Sequence, residues 1–146
     1  NRSDQNEGFD GFIKLMEIAV KAMSPGINDP GTAIDAINRL ARLLVKIMRF
    51  PHKTSNYLRE GKIILVKTNV TAKELMQTII QPIRLYAKKD SSVVLVLIGA
   101  LKYLVQDAKI SKENRDEIRK ELEALKMDII ATIENKYDLE KILAFF

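Results

Sequence analysis

Apolar residues recur at helical spacing along most of this 146-residue chain. Phe9, Phe12, Ile13, Met16, Ala19, Val20 and Met23 share one face, which predicts a first helix from about Phe9 to Met23, its first turn weakened by Gly11. Glu17 and Lys21 stand four apart in the order that suits an exposed ion pair. A second helix turns Ala33, Ile37, Leu40, Ala41, Leu44, Ile47 and Met48 inward and ends before Pro51. The period then changes. Tyr57-Leu58 and Ile63-Ile64-Leu65-Val66 flank Arg59-Glu60-Gly61-Lys62, which predicts a β-hairpin over Tyr57 to Thr68. An isolated hairpin is marginal in water, so it must lie on the helical body or pair with another chain.

Thr71 with Glu74 three residues later has the form of a capping box. The helix behind it would bury Leu75, Met76, Ile79, Ile80, Ile83 and Ala87, with Pro82 predicting a kink near Thr78. Asp90-Ser91-Ser92 opens the next element, whose run from Val93 to Leu101 is the most hydrophobic of the chain. Leu104 and Val105 extend that pattern and favour a central helix over a buried strand. Nine apolar residues cannot cross a bilayer, which takes about 20. A last long helix starts at Ser111 and buries Ile118, Leu122, Leu125, Ile129 and Ile133, with Asp116–Lys120 and Arg119–Glu123 as exposed pairs. Asp138 can cap a final segment ending in Phe145 and Phe146, two rings that need cover. The expected fold is one mainly α-helical domain over residues 1–146, of about six helices with one small β-hairpin.

The connection between the first two helices is the stretch the chain is built around. Ser24-Pro25-Gly26-Ile27-Asn28-Asp29-Pro30-Gly31-Thr32 holds two prolines, two glycines and two Asx residues. Asp29 is placed as an N-cap, with Pro30 at the first helical position and the Thr32 amide in reach of its carboxylate. The same exposed amides could instead hold an anion.

Charge changes the picture once it is divided along the chain. The net charge is +5, but residues 31–90 carry twelve Lys and Arg against four acids, a local +8 between flanks of −2 and −1. Arg39, Arg42, Lys46 and Arg49 fall on one stripe of the second helix. It is either a solvated face or a contact surface for phosphate-bearing material. No aromatic residue is interleaved with these bases and no nucleic-acid-binding motif is present, which argues against specific nucleic-acid recognition.

Catalytic and metal chemistry find little support. The chain has one histidine, His52, and no cysteine, which removes the usual zinc sets and thiolate chemistry. No phosphate-binding glycine loop is present, and Glu113, Asp116, Glu117 and Glu121 read as a solvated face. No cofactor is implied.

Glu17-Ile18-Ala19-Val20-Lys21-Ala22-Met23 followed by Ser24 to Ala33 resembles the D-I-A-L-R-A-L-S-P-G-I-N-D-P-x-T-A signature of an uncharacterised bacterial predicted membrane-protein family, domain-of-unknown-function family twenty-two fifty-four. Ile37, Arg39 and Leu40, the hairpin at Gly61, Ile83-Arg84-Leu85-Tyr86-Ala87, Asp90 and Val93 continue the resemblance, which weakens after Gln106. Glu17, Lys21, Met23 and Ser91 depart from it. The resemblance implies an inner-membrane protein whose transmembrane helices lie in its N-terminal part, and this chain resembles the domain behind them. The polar start at Asn1 agrees with a piece of something longer.

The expectation is an extramembrane interaction or regulatory domain on the cytoplasmic side of a bacterial inner membrane, with its own transmembrane region and the anionic membrane surface as partners. A small-anion or metabolite sensor is the alternative, built from Ser24, Pro25, Gly26, Asn28, Asp29, Pro30 and Thr32 with Glu17, Lys21 and Arg84. A hydrolase using Asp29 or Glu17 ranks last. The hairpin edge and the apolar C-terminus further suggest a homo-oligomer.

Overall fold

Pro30 to Arg49 form α2, the most clearly two-sided helix of the chain, whose apolar face lies in the core. Ala33, Ala36, Ile37, Leu40, Leu44, Val45 and Met48 of α2 are buried. A computed structural model describes the backbone of residues 2–50 and 52–146 and the side chains of residues 9–50, 60–63 and 70–146. Asn1 and Pro51, and the side chains of His52, Tyr57, Leu58 and Ile64 to Val66, lie outside the described residues.

The elements before and after α2 are α1 (Arg2–Ala22), the strands β1 (His52–Arg59) and β2 (Lys62–Asn69), α3 (Ala72–Leu75), a π-helical turn (Met76–Ile80), α4 (Gln81–Ala87), α5 (Ser91–Val105), α6 (Lys112–Thr132) and α7 (Lys136–Leu143). With α3, the π turn and α4 forming one continuous rod, these are six helices and a hairpin, the predicted class. Helix α1 begins seven residues before the expected Phe9, because its polar first turns carry no apolar period that could announce them.

The strands pair antiparallel, with Arg59 opposite Lys62. Glu60 and Gly61 both have positive φ (53° and 74°), the conformation that a two-residue hairpin turn of the right twist requires. The hairpin is longer than predicted at both ends, and His52 falls on β1 rather than in a connection.

Pro82 acts where the sequence places it. The Gln81 amide bonds to the Met76 carbonyl, five residues back, so the helix widens just ahead of the proline ring and its missing N–H. The kink expected near Thr78 is this widened turn. Upstream, the Thr71 hydroxyl accepts from the Glu74 amide at 3.2 Å, while the return bond of a full capping box is absent. Asn114 of α6 supplies the other bond, its side-chain oxygen accepting from the Ala72 amide at 3.2 Å. A helix-start donor is thereby satisfied from a distant helix.

Helix α5 is the centre of the core. Val93, Val94, Leu97, Ile98, Leu101 and Leu104 are closed off between α2 on one side and α6 on the other. The Asp90 carboxylate caps it, accepting from the amides of Ser92 at 3.0 Å and Val93 at 3.2 Å. Ile118, Leu125 and Ile129 of α6 are buried as predicted, and Leu122 and Ile133 pack at the edge.

Four charge assignments change. Arg119 pairs with Asp116 at 2.7 Å instead of Glu123, and Lys120 with Glu117 at 2.9 Å instead of Asp116. Glu17 and Lys21 form no ion pair among the described residues. Glu121 leaves the predicted solvated face: its side chain is 12% exposed and accepts from the Arg84 Nε at 2.7 Å. Asp128, one heptad later on the same face of α6, accepts from the other arm of the guanidinium. Asn135, not Asp138, caps α7, accepting from Tyr137 at 2.9 Å and Asp138 at 3.1 Å. The earlier start lengthens the helix and leaves Asp138 in its first turn, where a negative charge is favoured. At the C-terminus Phe146 packs against the core, and Phe145 stays half exposed.

Burial alone would lower the Arg84 pKa, but hydrogen bonding to Glu121 and Asp128 outweighs it and holds the guanidinium above its usual range. Arg84→Leu strands two carboxylates in a nearly closed seam, and the expected loss is about 3 kcal/mol in a denaturant titration. Replacing Arg84, Glu121 and Asp128 together by leucine should recover most of that loss.

Candidate functional site

The Ser24 to Thr32 turn is held by its own backbone. The Ser24 hydroxyl donates to the Lys21 carbonyl at 2.6 Å, closing the end of α1. The amides of Ile27 and Asn28 donate to the Ser24 carbonyl at 3.2 and 3.3 Å, and the Asp29 amide reaches back to the Ala22 carbonyl at 2.6 Å. This folding requires left-handed backbone at Gly26 (φ 90°) and Asn28 (φ 44°). Nothing lies within 4 Å of a Cβ placed on Gly26, so conformation rather than space calls for glycine there. Asn28 supplies the side chain that best tolerates that region among non-glycine residues.

Asp29 caps α2 as the sequence predicts. Its carboxylate accepts from the Thr32 amide at 3.2 Å and from the Thr32 hydroxyl at 2.5 Å, and Pro30 opens the helix. These two bonds, the hydroxyl's the larger, hold the Asp29 carboxyl below its ordinary 3.8. The N-terminus of α2 therefore already carries an anion of its own, and a second would be repelled by it.

The turn packs beside the end of α4. Met23, Ser24, Pro25 and Asn28 line one wall of a shallow depression of about 480 Å³, and Leu85, Tyr86, Lys89 and Asp90 line the other. Two stretches some sixty residues apart, both part of the resemblance described above, are thus brought to one place. Arg84 is not among its lining residues. The expectation that it joins the turn is corrected: the guanidinium points into the α4–α6 seam, because two carboxylates hold it there. Lys21 and Glu17 sit exposed on α1. Leu85, Tyr86 and Lys89 were not singled out from the sequence as lining residues. Their signal was positional: they stand at the end of an amphipathic helix, ahead of a helix cap.

The basic stripe divides in the fold. Arg39 pairs with Asp35 of its own helix at 3.3 Å. Arg49 donates through Nε and a terminal nitrogen to Asp107, at 2.8 and 2.6 Å, joining the end of α2 to the end of α5. Arg42 and Lys46 remain without an ion pair among the described residues and border a groove of about 530 Å³. Tyr103 of α5 lies in that groove, so an aromatic ring does accompany the bases. It comes from a different helix, which is why α2 alone did not show it.

No group of three or more His, Cys, Asp and Glu among the described residues is arranged to hold a metal ion.

Hydrogen bonding from Arg49, opposed by burial and aided by the Lys109 amide, holds the Asp107 carboxyl below its ordinary 3.8. A carboxyl whose folded pKa is depressed stabilises the fold above its unfolded value and loses that contribution as pH falls through the folded value. Stability should therefore decline as pH falls below about 4. Thermal melts across that range should show a shallower acid limb in Asp29→Asn and Asp107→Asn. At neutral pH Asp29→Ala should lower Tm by a few degrees through loss of the cap. An unchanged Tm would remove the capping role.

Neither a curated protein nor a solved structure matches the chain. A family model described as "Predicted membrane protein (DUF2254)" matches residues 1–103, from the start of the chain into α5. Over two thirds of the chain is covered, the signature turn, the hairpin and the Arg84 segment included, and the protein belongs to this predicted membrane-protein family.

Proposed function

We propose that this chain is the extramembrane part of a membrane protein and serves it as an interaction or regulatory module on the cytoplasmic side of a bacterial inner membrane. One observation carries the reading. The family is one of predicted membrane proteins, yet no described helix is long and apolar enough to cross a bilayer. The most apolar of them, α5, has 15 residues, short of the about 20 that a span needs, and its apolar side chains are engaged in this domain's own core. Anchoring then falls to another part of the full protein. The local +8 of residues 31–90 suits a domain held near the anionic lipids of the cytoplasmic leaflet.

The turn at Ser24 to Thr32 acts in this reading as a joint that sets the angle between α1 and α2 and lies beside the end of α4. The Asp29 carboxylate is engaged by the Thr32 amide and hydroxyl, which suits a cap.

Fractionation of the full reading frame tests the proposal. The intact protein should stay with membranes through high-salt and alkaline washes, and protease added to the outside of spheroplasts should leave the 146-residue domain uncut. Release by the washes, or cleavage from outside, would overturn the anchoring or the sidedness respectively.

A further inference from the structure

Helices α2 and α5 lie side by side with their C-terminal ends joined by Arg49 and Asp107. The groove along this seam is walled by Leu15, Leu43, Val45 and Tyr103, with Arg42 and Lys46 at its edge and Arg39 alongside. Tyr103 also borders a second groove, of about 350 Å³, over Leu95, Gly99 and Phe145. A Cβ placed on Gly99 meets nothing within 4 Å, so α5 is open there. No acidic residue lines either groove.

We propose that the α2–α5 seam is the surface by which this domain docks on the anionic headgroup layer of a phospholipid bilayer. Charge supplies the first reason. Of the four bases on α2, Arg39 and Arg49 are neutralised by Asp35 and Asp107, which leaves Arg42 and Lys46 as the pair whose field reaches outward. The second reason is what surrounds them. Leu43 is 40% exposed, Tyr103 54% and Phe50 73%, and Phe50 is the C-cap residue of α2, four residues after Lys46. Cations interleaved with half-exposed leucine, tyrosine and phenylalanine suit a headgroup layer, where the charge meets phosphate and the rings enter the boundary with the acyl chains. A purely electrostatic partner such as duplex nucleic acid gives exposed Leu43 and Phe50 nothing to bury against. The third reason is proximity, since the chain belongs to a family of predicted membrane proteins. The inference rests on the extramembrane reading, but its test uses only the 146-residue chain and vesicles and so fails separately from the anchoring experiment.

Sedimentation of the chain with vesicles of phosphatidylcholine, with and without phosphatidylglycerol, is the measurement. Binding is expected only with the anionic lipid and should weaken as salt rises. Arg42→Gln with Lys46→Gln should lose roughly 25-fold in partition coefficient, at about fivefold for each cation near the surface. Lys88→Gln with Lys89→Gln, the same charge change at the other end of α5, should lose far less. Phe50→Ser with Tyr103→Ser should weaken binding while leaving its salt dependence in place. All six positions lie on the surface or at its edge, and unchanged circular dichroism and Tm would exclude misfolding as the cause of a loss. Equal binding to neutral vesicles, or equal losses in the two charge-removing double variants, would overturn the proposal. Displacement by inorganic phosphate beyond that by chloride at equal ionic strength would also overturn it, in favour of a single-anion site. Tighter binding to single-stranded RNA, lost in Arg42→Gln with Lys46→Gln, would reassign the surface to nucleic acid.

Discussion

The guanidinium of Arg84 is held in a nearly closed seam between two carboxylates, and the alignment of α6 on α4 follows from it. A planar fork with donors on both edges can satisfy two carboxylates at once, and Glu121 and Asp128 stand one heptad apart on α6 to meet it. Sliding or rotating α6 along α4 would separate a charge from its partners inside a nearly closed seam. Apolar side chains tolerate such slips far better, because leucine packs on leucine in several registers. The ionic contact thus selects one alignment of α6 where the apolar surface alone would allow several.

The widened turn ahead of Pro82 belongs to the same arrangement. An extra residue in the Met76–Ile80 turn rotates everything after it relative to α3, and α4 must present Ile83 and Ala87 to the core while aiming Arg84 at α6. The proline anchors the position of that widening, since its ring would clash with a regular helix at that point. Backbone irregularity and buried charge are two parts of one solution.

Most of the architecture was legible in the sequence. Thr71 acts as the cap the sequence suggests, and Asp90 and Ser111 cap the helices expected to begin at them, because capping is local and depends on residues two or three apart. The period of α2 and the glycine turn of the hairpin were readable for the same reason. The misreadings that reach the site are long-range, whereas those at the start of α1, at the Asn135 cap and in the ion pairs of α6 are local. Nothing in the neighbourhood of Arg84 distinguishes it from a surface arginine; its partners are 37 and 44 residues away. Arg49 looked like the last member of a solvent stripe, and only the approach of Asp107 across the helix pair removes it. Tyr103 was invisible as a neighbour of the basic face because it arrives on α5. In the turn, Asp29 was readable as a cap, whereas the lining supplied by Leu85, Tyr86 and Lys89 depended on how α1 and α4 pack.

The extent of the family match and the extent of the folding unit are not the same. The match ends at residue 103, inside α5, two residues before that helix stops. A polypeptide cut at that point would lose Glu121 and Asp128 and leave Arg84 facing bare solvent. It would also uncover the face of α5 that α6 shelters. Any protein that shares the first 103 residues must therefore shield the same surface by some means, with a helix of its own design or with a neighbouring subunit. The helix that does so here is free to differ in nearly every position except those that meet the arginine and α5. Its variability elsewhere would be tolerance, not absence of a role.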